Sequence, residues 1–356
     1  PHATRRAFLG WSAGAGAVAI TGVGLGTKVQ GRSKAEIARE TLAAEATPTT
    51  EALASTEVLD SVPGLSSYIT PIDDFYRIDT AFSVPQVDPE TWSLRFTGMV
   101  DEPFELTYDE IRTMDLVDHT ITLSCVSNDV GDDLVGNAVW TGVPLTTLLE
   151  RAGVQEGATQ IVGRSVDDWT AGFPTEALYD GRNALLAIRM NGEPLPLRHG
   201  FPARLVVAGL YGYVSAVKWI EEIHLTTWED FDGYWVPRGW SKEGPMKTMS
   251  RIDVPRSNEQ VPAGPAVIAG VAWAPNRGIG SVEISVDDGD WMPCQLGGTV
   301  GTETWLQWRT TWDGVPGRHE VRVRAFDGDG NLQPVGPASP RPDGAEGWHR
   351  RTFEVV

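Results

Sequence analysis

Cysteine and lysine are both scarce in this chain of 356 residues, and each scarcity excludes a class of protein. The two cysteines, Cys125 and Cys294, lie far apart and form no CxxC or Cys/His cluster. This excludes a disulfide framework, a zinc finger and a covalently attached haem. The 29 basic residues face 48 acidic ones, so the formal net charge is −19. A protein this acidic is unsuited to nucleic acid or to anionic lipid, since both attract cationic faces.

Long hydrophobic runs are also lacking, apart from a mild one near the N-terminus. Residues 4–9 (TRRAFL) precede an uncharged stretch, rich in Gly and Ala, that reaches residue 27. Paired arginines before a weakly apolar run are typical of a twin-arginine signal, so residues 1–30 are predicted to be an export signal or membrane anchor. The last helix of a larger membrane portion is the alternative. Both predict an extracytoplasmic protein, with residues 31–65 as a short helix and a polar tether.

The pattern over residues 66–254 mixes short strands with short helices in no regular βαβ rhythm, which predicts an α+β domain. Helices are predicted at 108–114, behind a Thr107 cap, and at 145–152, before Gly153. Strands are predicted at residues 92–96, 121–125, 185–188 and 204–207.

A change of pattern follows residues 253–265, which hold three Pro and one Gly and are predicted to be a linker. Residues 281–287, 305–312 and 319–326 alternate apolar and polar side chains, with Asp-Gly turns between them. Such strands predict an all-β, immunoglobulin-like sandwich over residues 262–356.

Chemical motifs are few: a dinucleotide fingerprint, a P-loop, a GxSxG elbow and an HExxH helix are all missing. Cys125 ends an apolar strand and enters a polar loop, where a thiol can be a ligand for a soft metal or a nucleophile. Residues 199–218 combine glycines with cationic side chains, a composition that can hold an anionic group such as phosphate.

Several short segments of the chain occur together in a familiar order. They are 74–77 (DFYR), 122–125 (TLSC) with Asn128, 138–145 (AVWTGVPL), 199–207 (HGFPARLVV), 217–220 (VKWI), 270–273 (GVAW), 282–289 (VEISVDDG) and 331–334 (NLQP). The set resembles the sulfite oxidase family of molybdopterin enzymes, from about residue 75 to the C-terminus. The resemblance implies a molybdopterin-binding catalytic domain followed by an immunoglobulin-like dimerisation domain.

The resemblance also implies roles for individual residues. Cys125 would bind molybdenum beside the two sulfurs of one molybdopterin, Trp140 would line the substrate funnel, and Arg341 would reach into the substrate pocket from the second domain. The implied catalytic residues are Cys125, Trp140, Trp240 and Arg341. The implied cofactor-binding residues are Phe75, Arg77, Asp79, Asn128, Asp167, His199, Arg204, Ser215 and Lys218. Asp167 is also readable as an ordinary turn residue, and Arg341 as a solvated loop residue.

Three positions depart from the sulfite-oxidising pattern. Asp79 stands in place of a histidine, Val130 in place of an arginine, and Trp240 in place of a tyrosine. An added anion and a lost cation make the pocket less attractive to sulfite. A reductase of sulfoxides, including methionine sulfoxide, is therefore an alternative on the same fold. A non-catalytic immunoglobulin-like binding module and a thiol enzyme are the alternatives of other classes.

The resulting hypothesis is an exported mononuclear molybdenum oxidoreductase that transfers an oxygen atom to or from a small molecule in a two-electron reaction. Haem, flavin and nicotinamide motifs are missing from the sequence. We therefore expect a separate electron-transfer partner, either a cytochrome or a quinone-linked membrane subunit. The resemblance further implies a homodimer formed through residues 262–356.

Overall fold

The computed structural model describes residues 32–45, residue 59 and residues 61–356. The expectations for residues 1–30 and for most of the tether lie outside these ranges. Among the described residues, no helix is long and apolar enough to cross a membrane.

The described parts of the tether contact the rest of the protein. Helix α1, Lys34–Glu45, buries Ala35 and holds the first domain through an ion pair of 3.0 Å between Arg39 and Glu193. At the other end of the tether, three apolar side chains pack against the second domain: Leu59, Val62 and Leu65. The tether is therefore anchored at both described ends, which its polar composition did not predict.

The first domain contains ten strands. They are β1 (Ser93–Gly98), β2 (Phe104–Thr107), β3 (Val117–Ser124), β4 (Val135–Pro144), β5 (Gln160–Ser165), β6 (Thr170–Pro174), β7 (Ala184–Met190), β8 (Glu193–Pro194), β9 (Arg204–Val207) and β10 (Ile220–Thr226). One sheet has the order β2-β1-β10-β5-β6, in which β1 and β10 run parallel. The second has the order β3-β4-β7-β8, and β9 pairs antiparallel with β7. The strands predicted in this domain are all confirmed.

Short helices connect these strands. They are α2 (Tyr108–Arg112), α3 (Leu145–Ala152) and α4 (Gly212–Ser215). Thr107 caps α2 as predicted, and Glu110 completes a capping box by reaching back to the Thr107 backbone. Helix α3 ends at Gly153 with φ of 66°, the left-handed conformation expected of a glycine at that position.

The second domain is an all-β sandwich, as predicted. Its strands are β11 (Met249–Val254), β12 (Gln260–Val261), β13 (Gly264–Trp273), β14 (Ile279–Val286), β15 (Met292–Pro293), β16 (Gln295–Leu296), β17 (Leu306–Gly314), β18 (Gly317–Asp327) and β19 (Arg350–Val355). They form two sheets with the orders β11-β13-β17-β16 and β12-β19-β18-β14-β15. Alternate side chains from both sheets meet in one apolar core.

The start of the sandwich differs from the expected boundary. Strand β11 pairs antiparallel with β13, and Ile252 of β11 is fully buried in the sandwich core. The sandwich sheet therefore begins at Met249, and the proline-rich segment 253–265 turns the chain between strands of one domain. Proline and glycine mark turns reliably, but they do not distinguish a turn inside a domain from a link between two domains.

The two domains share a polar and apolar interface. Trp305 is buried, its backbone N–H donates to the Thr122 hydroxyl at 2.7 Å, and its indole N–H donates to the Tyr68 carbonyl at 2.8 Å. The Glu303 carboxylate accepts two hydrogen bonds from Asn183. The Thr122 contact holds β3, the strand that leads to Cys125, against the second domain.

Candidate active site

A pocket of about 280 Å³ opens where strand β3 ends. It brings together eight of the thirteen predicted site residues: Phe75, Asp79, Cys125, Asp167, His199, Arg204, Lys218 and Trp240. Sequence reasoning missed several other lining residues, among them Tyr76, Ser127, Ser165, Trp169, Tyr213, Trp219 and Trp235. Tyr76 and Trp219 lie within the segments that carried the resemblance, so the signal for those two was present in the sequence.

Cys125 is presented by the loop between β3 and β4. Its backbone N–H donates to the Leu134 carbonyl at 2.9 Å, which closes the loop at its base. The Sγ atom lies 2.9 Å from the Ser127 hydroxyl, and the residue is 9% exposed. The Asn128 side chain accepts from the Leu134 N–H at 2.8 Å. Asn128 thus shapes the loop and does not line the pocket.

Two cationic side chains face the same pocket, and a glycine permits their approach. Gly200 has φ of 110°, and an added Cβ would lie 3.1 Å from the Cβ atoms of Arg204 and Lys218. A side chain at position 200 would strain the backbone and crowd both residues. The glycine in the HGFPAR segment therefore allows the start of β9 and the chain before β10 to place their cations together.

Arg204 is a buried cation without a carboxylate partner in the described part of the chain. It is 4% exposed and donates to the His199 carbonyl at 3.2 Å and the Leu205 carbonyl at 3.4 Å. Burial lowers the pKa of Arg204 to about 10, so the side chain stays charged at neutral pH. An unpaired buried charge is costly unless a ligand compensates it.

Trp140 lies behind Arg204 rather than in the pocket. It is fully buried, with the guanidinium 4.9 Å from its ring centroid and its indole N–H bonded to the Ile121 carbonyl. The expectation that Trp140 lines the substrate funnel is therefore wrong. Strand β4 turns this side chain into the core, where its ring face supports the arginine.

Asp79 binds the second cation. Its carboxylate accepts from the Arg77 Nε at 2.8 Å and from the Lys218 Nζ at 2.9 Å. Burial alone would raise the pKa of Asp79, but the hydrogen bonds from Arg77 and Lys218 outweigh it and hold that pKa below its usual value. Burial lowers the pKa of Lys218 to about 8, against the opposing effect of Asp79. Arg77 lies outside the pocket lining and meets the pocket only through Asp79.

His199 is a neutral wall residue. Burial, followed by the nearby charges of Arg204 and Lys218, lowers the pKa of His199 to about 3. Its Nε2 accepts from the Arg198 side chain at 3.3 Å. Phe75 packs edge-on against the His199 ring, with centroids 5.7 Å apart.

Aromatic side chains form another wall of the pocket. Trp240 lies between Tyr213 and Trp235, with ring centroids 6.0 and 6.3 Å apart, respectively. Asp167 occupies a tight turn, where its carboxylate accepts from the Trp169 backbone N–H at 3.4 Å. It is thus a turn residue that also lines the pocket.

Two further predicted residues lie outside the pocket lining. Ser215 is buried and donates to the Tyr211 carbonyl at 3.1 Å. Arg341 donates to the backbone carbonyls of Arg238 and Gly239, so the expectation that it reaches into the pocket is wrong. The spacing between Arg341 and Trp348 in the sequence could not show which loop of the first domain would accept hydrogen bonds from Arg341. The roles of Arg77, Asn128 and Ser215 toward a cofactor stay predictions.

Comparison with known proteins identifies the family. Residues 81–235 match the model of the oxidoreductase molybdopterin binding domain. The chain is 30% identical to sulfite oxidase of Arabidopsis thaliana over 331 residues, covering 76% of this chain and 83% of the relative. This chain belongs to the sulfite oxidase family. It is a molybdopterin-dependent oxidoreductase of the sulfite oxidase type, which sets aside the non-catalytic alternative.

Two further comparisons concern a mammalian relative and a solved structure. It is 27% identical to mitochondrial sulfite oxidase of Homo sapiens over 336 residues, covering 80% of this chain and 61% of that protein. The chain thus spans less than two thirds of the length of the mammalian relatives. The solved structure of the sulfane dehydrogenase SoxCD from Paracoccus pantotrophus superposes with a TM-score of 0.68 at 21% identity, over 87% of this chain and 96% of that chain. That likeness confirms the fold.

The pocket of this family member fits an anionic cofactor with a thiol-bound metal. The Ser165 hydroxyl, which is buried at the pocket wall, has no hydrogen-bond partner within the described chain. Together with the unpaired Arg204, it leaves a buried donor facing space that a polar ligand can fill. No group of three His, Cys, Asp or Glu side chains among the described residues could hold a metal ion. A metal bound through Cys125 would therefore need further ligands, which a bound cofactor can supply.

Proposed function

We propose that this protein holds a mononuclear molybdenum centre on one molybdopterin and catalyses two-electron oxygen-atom transfer at a small sulfur compound. The observation that carries the proposal is the convergence of the Cys125 thiol with Arg204 and Lys218 on one pocket. A thiolate is a soft ligand that suits such a metal, and a pair of shielded cations suits the phosphate of the cofactor.

The bound cofactor would supply the two-electron redox chemistry and the exchange of an oxygen atom. Cys125 would bind the metal through Sγ, and the Ser127 hydroxyl, 2.9 Å away, would donate a hydrogen bond that orients the thiolate. Arg204 and Lys218 would hold the phosphate in charge-assisted hydrogen bonds. The neutral ring of His199 would add a wall without adding charge.

Two substrate classes are compatible with this reaction type. Oxidation of sulfite takes an oxygen atom from water and releases two electrons and two protons, whereas reduction of a sulfoxide consumes two electrons and two protons and yields a thioether and water. Asp79 places a carboxylate at the pocket, and its negative charge disfavours a dianionic substrate. The indoles of Trp235 and Trp240 offer apolar faces to an uncharged sulfur compound. These features favour sulfoxides over sulfite.

A substrate panel tests the proposed function. Matured wild-type protein is assayed for sulfite oxidation with a chemical electron acceptor, and for sulfoxide reduction with a chemical electron donor. We expect turnover in at least one direction and its loss in Cys125→Ser. Normal turnover by Cys125→Ser, or metal-free wild-type protein after correct maturation, contradicts the proposal. A higher kcat/KM for sulfite than for every sulfoxide contradicts the preference for uncharged substrates.

We also propose that the protein is exported by the twin-arginine route, supported by the paired arginines in residues 4–9. Replacing Arg5 and Arg6 with lysine is expected to retain the protein in the cytoplasm, and unchanged fractionation contradicts export by this route.

Electrons would be exchanged with a separate cytochrome or quinone-linked membrane subunit. Homodimerisation through the sandwich domain is tested by light scattering, where a monomer at micromolar concentration contradicts it.

A further inference from the structure

Two indoles of the pocket wall belong to a loop with little regular structure of its own. Trp235 and Trp240 both line the pocket, and they lie in residues 234–241. The only helical element of this loop is a short 3-10 turn, Val236–Arg238. Loops of this kind are mobile unless other parts of the protein hold them. The position of both indoles therefore depends on what anchors the loop.

The sandwich domain supplies an anchor on one side of the loop. The Arg341 Nη2 donates to the Arg238 carbonyl at 2.8 Å, and its Nε donates to the Gly239 carbonyl at 3.2 Å. Next to it, the Pro342 carbonyl accepts from the Ser241 N–H at 2.9 Å. The planar fork of a guanidinium can hold two neighbouring carbonyls at once, which a lysine ammonium on its flexible stem does less well.

The loop is shaped to accept this arginine. Gly239 has φ of 88°, and an added Cβ would lie within 2.1 Å of the Arg341 Nη2. The positive φ favours glycine, and a Cβ at this position would displace the Arg341 guanidinium from its place. On the other side of the loop, the Tyr213 hydroxyl donates to the Ser241 carbonyl at 2.7 Å, and the Tyr213 ring contacts Trp240. The loop is thus held between the sandwich and the first domain.

We propose that Arg341 is a positioning residue, which holds the 234–241 loop from the second domain and thereby sets the place of Trp235 and Trp240 in the pocket. The guanidinium N–H groups of Arg341 that face the loop donate hydrogen bonds to backbone carbonyls. Its removal should therefore disturb the pocket wall for charged and uncharged substrates alike. An arginine that attracted an anionic substrate by its charge would affect anionic substrates only.

Hydrogen exchange of the cofactor-free full-length protein tests the positioning role without any turnover. Losing the hydrogen bonds to the Arg238 and Gly239 carbonyls should raise the opening of the 234–241 amides about tenfold in Arg341→Gln. Arg341→Lys should show a smaller increase in the exchange of these amides. Gly239→Ala should also increase it, because Gly239 is the other partner of the contact with Arg341. Arg350→Gln is the matched control, because Arg350 is an exposed arginine of the same domain that pairs with Glu320. Unchanged exchange of residues 234–241 in Arg341→Gln overturns the proposal.

Steady-state kinetics of the matured enzyme give the second readout, which rests on the proposed function. Arg341→Gln is expected to raise KM about tenfold for sulfite and for an uncharged sulfoxide alike, with a smaller change in kcat. An increase confined to sulfite overturns the positioning role in favour of charge attraction. If wild-type protein turns over neither class, the proposed function fails, and the exchange experiment still decides the role of Arg341.

Discussion

Replacing Arg204 with methionine should make the cofactor-free protein more stable while abolishing its ability to keep the cofactor. Arg204 is 4% exposed, and no carboxylate of the described chain neutralises it. A single change should therefore move stability and cofactor content in opposite directions. A residue with a purely structural role would lower both.

The magnitude follows from the burial of the charge. Burial lowers the pKa of Arg204 from 12.5 to about 10. At 1.36 kcal/mol per pKa unit, the charged form is disfavoured in the folded protein by about 3 kcal/mol. Because the folded pKa lies below the unfolded one, this penalty is complete at every pH below about 10 and fades as the pH rises toward 12.5. It is therefore fully present in an assay at pH 7.

Methionine also gives up some favourable contacts. The Arg204→Met protein loses the two hydrogen bonds from the guanidinium to backbone carbonyls and the cation–π contact with the ring face of Trp140. These contacts are worth about 2 kcal/mol together. At 3.2 and 3.4 Å the two hydrogen bonds are long, so each contributes about 0.5–1 kcal/mol, less than is usual for a charged donor, and the ring contact contributes a similar amount. The net expectation is a stabilisation of about 1 kcal/mol, in line with other buried charges that were replaced by apolar side chains.

Denaturant unfolding of the cofactor-free protein at pH 7 measures the first effect, and the molybdenum and pterin content of matured protein measures the second. Arg204→Met is expected to unfold at a higher denaturant concentration and to carry little or no cofactor. Arg350→Met is the control, since Arg350 is an exposed arginine of the sandwich domain that pairs with Glu320 and does not line the pocket. An Arg204→Met protein that is destabilised by more than about 1 kcal/mol, or that retains wild-type cofactor content, refutes the reasoning.

Two further predictions concern the same pocket, and a third concerns the cysteine of the sandwich domain. Because burial lowers the pKa of Lys218 to about 8, the affinity of the cofactor-free protein for sulfate should fall by up to tenfold per pH unit above that pH, and a flat profile measured by calorimetry contradicts this. Asp79→Asn frees Lys218 but also removes the group that raises the pKa of Lys218, so at a pH acid enough to keep Lys218 charged it should raise sulfate affinity several-fold, whereas the exposed Asp73→Asn should not; equal affinities contradict the ion pair. Burial, reinforced by a nearby glutamate, raises the pKa of Cys294 to about 12, so Cys294→Ala should leave thiol alkylation of the native protein at pH 8 unchanged, and a fall in labelling contradicts it.

Local rules account for much of the fold that the sequence could predict. The alternation of Val321, Val323 and Ala325 specifies a strand with one buried face, and the caps at Thr107 and Gly153 specify the ends of helices. These signals depend only on neighbouring residues. Strand β11 was not predicted because it belongs to the sandwich through its pairing with β13. Neither segment alone indicates that pairing.

The site shows the same limit. Cys125, Arg204 and Lys218 were predicted by resemblance, and their segments meet at one pocket. The direction of a side chain within a shared segment was not predictable in this way. Trp140 points into the core behind Arg204, and Arg341 directs its donors at a neighbouring loop. Both orientations are set by contacts between segments that lie far apart in the sequence.

X-ray absorption at the molybdenum edge of the matured protein tests the central claim most directly. If Cys125 is the protein ligand, the wild-type spectrum should show one more sulfur bound to the metal than a Cys125→Ser protein that has been loaded with cofactor. The Cys294→Ala protein should match the wild type, because that thiol lies in the sandwich domain. An identical number of sulfur ligands in wild-type and Cys125→Ser proteins, or a loss of sulfur in Cys294→Ala, would contradict the account.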